Sequence, residues 1–177
     1  MLNLNKAISY LFGGLLAVSS AMTYAQQFSP SEGTSKSQPI QTTETGWQVI
    51  CRATTQDRTK LGCSVVHETY SSQDRVRLTS VEILKSDKGK LMIVSVPQGV
   101  SLNEGIEFSI DGIKQSRINY SYCMNNNCFS TLELTDTHIA NLKKGKTMEI
   151  AFFDLQGSKI KTEIFLTGFL QAIVKSE

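Results

Sequence analysis

Four cysteines, Cys51, Cys63, Cys123 and Cys128, are the residues of this chain whose type and spacing are most suited to chemistry. They allow three disulfide pairings. We favour Cys51–Cys63 and Cys123–Cys128, because each pair flanks a predicted chain reversal that brings two strands together. A Cys-x4-Cys pair with no histidine or further cysteine nearby does not supply four zinc ligands. The spacing also differs from the Cys-x-x-Cys of redox enzymes.

The two histidines, His67 and His138, lie in no recognisable catalytic or metal-binding pattern. The chain contains no His-Glu-x-x-His motif, no Gly-x-Ser-x-Gly elbow, no phosphate-binding glycine loop and no dinucleotide fingerprint. We expect His67 to form an exposed pair with Glu68 near a strand end, and His138 to lie at the surface in the first turn of a helix. A triad assembled only in three dimensions stays open, because spacing does not define one. The sequence therefore predicts no catalytic residue, no cofactor and no bound metal.

Lysines gather at three predicted turns of the chain. The groups are Lys85, Lys88 and Lys90; Lys143, Lys144 and Lys146; and Lys159 and Lys161. One interpretation is a set of solvated loop tips and edge-strand charges that discourage aggregation. The alternative is that Lys143, Lys144 and Lys146 form a patch for an anionic surface, such as lipopolysaccharide or host glycans.

Residues 1–25 have the order of a secretory signal peptide. Lys6 precedes an apolar stretch from Ala7 to Val18, and small residues then lead to Ala25; this order is typical of an export signal. The apolar run of about 12 residues is shorter than the ~20 that span a bilayer, so we favour a cleaved signal over a membrane anchor. Export would place the cysteines in an oxidising compartment, where paired cysteines persist as structural disulfides.

Residues 26–45 are predicted to be a flexible linker, because they contain few large apolar side chains and cannot offset their ordering entropy. Residues 46–177 then form the folded domain. The whole chain of 177 residues has a formal net charge of +2, and its first 45 residues contain two basic and two acidic side chains. The domain therefore keeps the same weak charge, which argues against a nucleic-acid-binding protein.

Short strand-like segments dominate the domain. Trp47 to Arg52 alternates with the period of a half-buried strand, Arg75 to Leu84 is rich in β-branched residues, and the mostly apolar run from Leu91 to Val96 is typical of a strand covered on both faces. Asp111-Gly112 predicts a tight hairpin turn, and Ile113 to Tyr122 is predicted to run back from it as one strand. The Asn125-Asn126-Asn127 tip predicts the next reversal. About eight to ten such strands favour an all-β fold, an antiparallel β-sandwich, with a small β-barrel as the alternative.

One helix interrupts the strands. It is predicted to begin at Thr135 or Asp136 as the cap and to end at Gly145, with lysines in its last turn. The segment 168–173 is predicted to close the chain as a short turn or strand.

Four short motifs follow one another through the domain. They are Gly46-Trp47-x-Val49-x-Cys51 with Cys63, Pro97-x-Gly99-Val100-x-Leu102-x-x-Gly105-Ile106, Tyr122-Cys123-x4-Cys128, and Leu166-x-Gly168-Phe169-x-x-Ala172. In this order they resemble the invasion-associated locus B family over the whole domain. The resemblance implies an exported envelope protein with an immunoglobulin-like β-sandwich, linked to entry into host red cells. It provides no catalytic residues.

Three functions are compatible with these observations. The first is a non-enzymatic interaction module that supports invasion of host cells, from the periplasm, the envelope or the bacterial surface. Its partner would be a protein or a surface glycan, with the erythrocyte membrane as one candidate. The second is a general periplasmic structural or chaperone-like protein that affects invasion only indirectly. The third is an unrecognised hydrolase.

Overall fold

A computed structural model of the chain describes residues 42–53 and 61–177. The predicted signal peptide, residues 1–25, and most of the predicted linker, residues 26–45, lie outside these ranges. The last residues of that linker differ from the expectation, because Thr42–Glu44 form a short strand that pairs with the domain.

The described residues form eleven strands and two helices. In chain order they are β1 (Thr42–Glu44), β2 (Gln48–Ala53), β3 (Leu61–Ser71), β4 (Arg77–Ser86), β5 (Gly89–Pro97), β6 (Ile106–Ile110), β7 (Ile113–Ile118), β8 (Tyr120–Met124), β9 (Asn127–Leu134), α1 (Asp136–Lys144), β10 (Thr147–Phe153), β11 (Lys159–Phe165) and α2 (Phe169–Lys175).

The strands form two antiparallel sheets that pack as a sandwich. The larger sheet has the order β1-β3-β4-β5-β9-β8, and β2 pairs with β3 beside β1; the smaller sheet has the order β11-β10-β6-β7. Neither of these described sheets closes on itself. The all-β sandwich predicted from the sequence is therefore confirmed, and the barrel alternative is not.

Apolar side chains from both sheets meet in one core, as expected for strands with one covered face. Its fully buried members are Val65, Val81, Ile83, Met92, Val94, Ile106, Phe108, Met148, Ile150 and Ile164. Where a strand contributes two of these residues, they stand at alternate positions, as expected for a strand with one face toward the core.

The two predicted tight turns are confirmed by their backbone geometry. Asp111 and Gly112 have φ angles of 48° and 76°, and Asn125 and Asn126 have φ angles of 49° and 61°. Two successive positive φ angles are typical of the type I′ turn, whose twist matches that of a hairpin.

The segment after the first of these turns differs from its prediction as one strand. It divides at Asn119 into β7, in the smaller sheet, and β8, in the larger one. Gly105 supports the crossing: its φ is +65°, and a Cβ there would lie 2.6 Å from the carbonyl oxygen of Ile118. Only glycine avoids that overlap, so a close backbone approach accompanies the change of sheet.

One of the two helices was predicted from the sequence and the other was not. The helix α1 is confirmed, with Thr135 as its N-cap and Gly145 after its last turn. The C-terminal segment was predicted wrongly, because it forms the helix α2 rather than a turn or strand. Its buried residues, Phe169, Ala172 and Ile173, stand at the i, i+3 and i+4 spacing of one helical face.

Candidate functional site

The four cysteines lie at opposite edges of the larger sheet. Cys51 on β2 is directly opposite Cys63 on β3, and Cys123 on β8 is directly opposite Cys128 on β9. In each pair the sulfur atoms are at disulfide distance and the Cα atoms are 4.0 Å apart. These are the two pairs that the sequence favoured, and each joins neighbouring strands.

His67 was predicted to be exposed, and the structure corrects this. Its side chain is 0% exposed and lies on the core face of β3. The alternation along the strand turns the next residue, Glu68, to the other face, where its carboxylate pairs with Arg77 at 2.8 Å. The two neighbours therefore do not face each other, because successive side chains of a strand point to opposite faces.

Contacts from several elements surround the buried His67. Its Nε2 atom is 3.1 Å from the Glu44 carboxylate, and its ring centroid is 5.0 Å from that of Trp47. The same Glu44 oxygen accepts the Phe165 N–H at 3.3 Å, and Trp47 Nε1 donates to the Phe165 carbonyl at 2.9 Å. Trp47 also contacts the ring of Phe169 at 4.9 Å. The cluster thus ties β1 and β2 to β11 and α2 across the sandwich.

This histidine–carboxylate pair is a structural element rather than an accessible catalytic one. The ring of His67 has no exposed surface, so a substrate cannot reach it in this conformation. Protonation of His67 would place a charged imidazole inside the core, so this pair makes the stability of the fold depend on pH.

We expect the folded protein to lose stability below pH 6.5 because of His67. Burial is the main influence and lowers the pKa of this imidazole below its ordinary 6.5, although the neighbouring Glu44 and Glu68 carboxylates act in the opposite direction. The unfolded chain therefore binds a proton more readily than the folded one. This contribution is fully present above pH 6.5 and is lost as the pH falls from there through the folded-state pKa.

Urea unfolding at pH values from 7.5 to 5.0, followed by the fluorescence of the single tryptophan, Trp47, measures this effect. His67→Phe should flatten the pH dependence in that window. His138→Gln is the matched control and should retain it, since glutamine can keep a capping box. An unchanged slope in His67→Phe would contradict the assignment.

His138 lies in the first turn of α1, as predicted. Its Nδ1 atom accepts the backbone N–H of Thr135 at 3.2 Å, and the Thr135 hydroxyl accepts the backbone N–H of His138 at 3.2 Å. These reciprocal bonds form a capping box that satisfies donors at the start of the helix. The role of this side chain in the structure is to cap the helix.

A cavity of about 770 Å³ lies between the β4–β5 hairpin, one face of α1 and the end of α2. Four lysines line it: Lys85, Lys88 and Lys90 from the hairpin and Lys143 from the helix. Its apolar lining comes from Ile83, Leu134, Ile139 and Ile173. Lysines that are well separated in the sequence therefore meet at one site, which we call the lysine cavity.

The patch predicted from Lys143, Lys144 and Lys146 is divided in the structure. Only Lys143 lines the lysine cavity. Lys144 lines a smaller depression beside Asp111, and the backbone N–H of Lys146 donates to the Asp111 carboxylate at 2.9 Å. Successive helical residues point about 100° apart, so Lys143 and Lys144 face different surroundings. The three lysines are neighbours in the sequence, but in the structure Lys143 lies beside the lysines of the β4–β5 hairpin instead.

The charges around the lysine cavity are only partly neutralised. Lys90 pairs with Glu177 at 3.1 Å, and Lys88 pairs with Glu133 at 3.4 Å. Within the described part of the chain, Lys85 and Lys143 have no carboxylate within 4 Å. Hydrogen bonding to Lys90 is the main reason why the pKa of Glu177 lies below its usual value, with Lys143 and Lys85 adding to the effect. The Glu177 carboxylate therefore sits in a field of several ammonium groups.

Two features are absent from the described residues, 42–53 and 61–177. Neither helix in these ranges is long and apolar enough to cross a membrane. The same ranges contain no group of three or more histidine, cysteine, aspartate or glutamate side chains arranged to hold a metal ion.

Residues 47–177 match the family described as "Invasion associated locus B (IalB) protein". The chain belongs to the IalB family. The resemblance stated from the four sequence motifs is thereby confirmed, and it extends from β2 to α2. The IalB family is not a known enzyme family.

The crystal structure of invasion associated protein b from Bartonella henselae is similar to this IalB chain, with a TM-score of 0.64 and 16% sequence identity. The similarity covers 76% of this chain and 92% of the Bartonella chain. At this level of identity the likeness shows a shared fold. No curated protein matches the chain.

Proposed function

We propose that this IalB chain is an exported cell-envelope protein that supports invasion of host cells, erythrocytes among them, by binding a protein or surface partner rather than by catalysis. The observation that carries the proposal is the match of residues 47–177 to a family described as invasion associated. The name of the Bartonella protein of the same fold points in the same direction.

Features of the chain support an exported location. The first 25 residues have the order of a signal peptide. The two cysteine pairs at disulfide distance suit an oxidising compartment such as the periplasm or the cell surface. Both arguments concern the compartment and are independent of the partner.

The environments of the two histidines support binding over catalysis. Proton transfer in hydrolases most often uses an accessible histidine. Here His67 is enclosed in the core and His138 is engaged in capping α1. The lysine cavity, by contrast, is open to solvent and holds charge that a partner could use.

The proposal is tested by deleting the gene in the bacterium that encodes it and counting intracellular bacteria after exposure to erythrocytes. We expect fewer invading bacteria and recovery on complementation with the intact gene. Binding of the purified chain to erythrocytes, with a disulfide-reduced sample as control, tests whether contact is direct. Equal invasion with and without the gene would overturn the proposal. Reduced invasion without erythrocyte binding, in a protein that protease treatment of intact cells does not reach, would replace it with an indirect periplasmic role.

A further inference from the structure

We propose that the lysine cavity binds a phosphorylated saccharide, with the phosphate held by Lys85 and Lys143, and that the Glu177 carboxylate, which pairs with Lys90, weakens this binding by its negative charge. The inference deepens the proposed function, because it names the chemistry of a surface partner. It rests on the geometry of the lysine cavity and can be tested without host cells.

The side chains around the cavity attract an anion. Four ammonium groups and the side-chain carboxylates of Asp136 and Glu177 line it, and Glu133, which pairs with Lys88, leaves an excess of one positive side-chain charge. A phosphomonoester carries a charge of about −1.5 to −2 at pH 7, and lysine binds phosphate as a compact point charge. A sulfate ester or a single carboxylate carries less negative charge and would interact less strongly with the same ammonium groups.

Lys85 and Lys143 are the cations that the fold leaves available. Lys88 and Lys90 each have a carboxylate within 3.4 Å, whereas Lys85 and Lys143 have none among the described residues. Both are exposed at the cavity rim. Lys85 lies on β4 and Lys143 on α1, so a phosphate between them would bridge two separate elements.

Glu177 shows that these lysines stabilise a negative charge. Its side chain reaches Lys90 at 3.1 Å, and the charges of Lys85 and Lys143 also favour its carboxylate form. The Glu177 side chain is 56% exposed, so it can move away from the cavity when a phosphate binds. Its negative charge would otherwise repel the phosphate.

The rest of the lining suits a sugar. A volume of about 770 Å³ is in the range of pockets for small organic ligands and exceeds the need of a phosphate group alone. Thr135, Ser176 and Asp136 offer hydroxyl and carboxylate groups to sugar hydroxyls, and Ile139 offers an apolar surface to the face of a ring. A long acyl chain would find little support, because Ile83 and Ile173 are almost wholly buried in the core.

Isothermal titration calorimetry of the full domain with glucose 6-phosphate tests the inference, with glucose, inorganic phosphate and glucose 6-sulfate as comparison probes. We expect glucose 6-phosphate to bind more tightly than the other three. The double change Lys85→Gln/Lys143→Gln should weaken binding at least about tenfold, the loss expected when charge-assisted contacts are removed. Glu177→Gln should tighten it about threefold, because the competing carboxylate is gone.

Matched controls separate a site from general positive charge. Lys144→Gln removes the same charge one residue away from Lys143 but outside the cavity, and Glu163→Gln removes an exposed carboxylate elsewhere. Both should bind within about twofold of the wild type, because neither side chain lines the cavity and interactions between exposed charges through water are weak. An equal loss in Lys144→Gln, or an undiminished affinity in Lys85→Gln/Lys143→Gln, would overturn the site. Failure of the wild-type and Glu177→Gln proteins to bind any phosphorylated sugar would do the same.

Vesicles containing a diphosphorylated glucosamine lipid, set beside erythrocyte membranes, distinguish a bacterial from a host source of the phosphorylated saccharide. The membrane whose binding is lost in Lys85→Gln/Lys143→Gln is the source of the ligand. If the wild type and this variant bind both membranes equally well, the site is contradicted. The outcomes are separable from those of the invasion test. If the protein binds glucose 6-phosphate while the bacterium invades equally well after deletion of its gene, the result would support this site and overturn the proposed function.

Discussion

The Phe169→Ala variant is expected to lose about 3–5 kcal/mol of its free energy of unfolding, the range found when a buried phenylalanine is truncated in a core. Phe169 is 0% exposed, begins α2 and contacts Trp47. Its removal leaves a cavity where the C-terminal helix meets the cluster around His67. Loss of that contact should loosen α2 and the edge strands together.

Urea unfolding of Phe169→Ala, followed by circular dichroism, measures the loss. Leu170→Ala is the matched control, because Leu170 is the next residue of the same helix but is 46% exposed. We expect it to change the free energy of unfolding by no more than about 0.5 kcal/mol. Similar losses in the two variants would show that α2 does not anchor the domain through Phe169.

Removal of the Cys51–Cys63 bridge is expected to lower the free energy of unfolding by about 3 kcal/mol, and removal of the Cys123–Cys128 bridge by about 2 kcal/mol. The order follows from the sequence separations of 12 and 5 residues, since a longer closed loop restricts the unfolded chain more. Cys51→Ala/Cys63→Ala and Cys123→Ala/Cys128→Ala are the variants to compare in thermal unfolding.

Reduction provides the control for the cysteine variants. A reducing agent should destabilise the wild type by at least as much as the larger single-bridge loss, and it should further destabilise each double variant by the contribution of the remaining bridge. Wild-type protein whose unfolding is indifferent to a reductant would show that the paired sulfurs do not form stabilising bonds.

Local patterns made much of the fold predictable. Alternation along β2, β-branched residues along β4 and the apolar run of β5 marked strands, and Asp111-Gly112 and Asn125-Asn126 marked turns, because these features depend on neighbouring residues only. The same locality explains the error at Asn119. A run of alternating residues does not say which sheet each half will join, and the crossing at Gly105 involves a carbonyl oxygen 13 residues later in the chain.

The C-terminal helix was missed for a related reason. The segment from Phe169 to Ile173 is short and apolar, and short apolar runs are ambiguous between helix and strand. The positions of Phe169, Ala172 and Ile173 carried a helical signal that the overall β-rich pattern of the chain concealed. Packing against β2, β3 and α1 then provides the stability that seven isolated helical residues would lack.

The amino-acid sequence by itself determined the class of fold, the favoured cysteine pairing and the family, because strand period, turn residues and motif order are all readable along the chain. The tertiary structure alone decided that His67 is buried against Glu44 and that Lys143 shares a cavity with Lys85 and Glu177. Burial and electrostatic environment depend on which surfaces the fold brings together. Residues 58 positions apart, such as Lys85 and Lys143, acquire a common role only when the sandwich has formed.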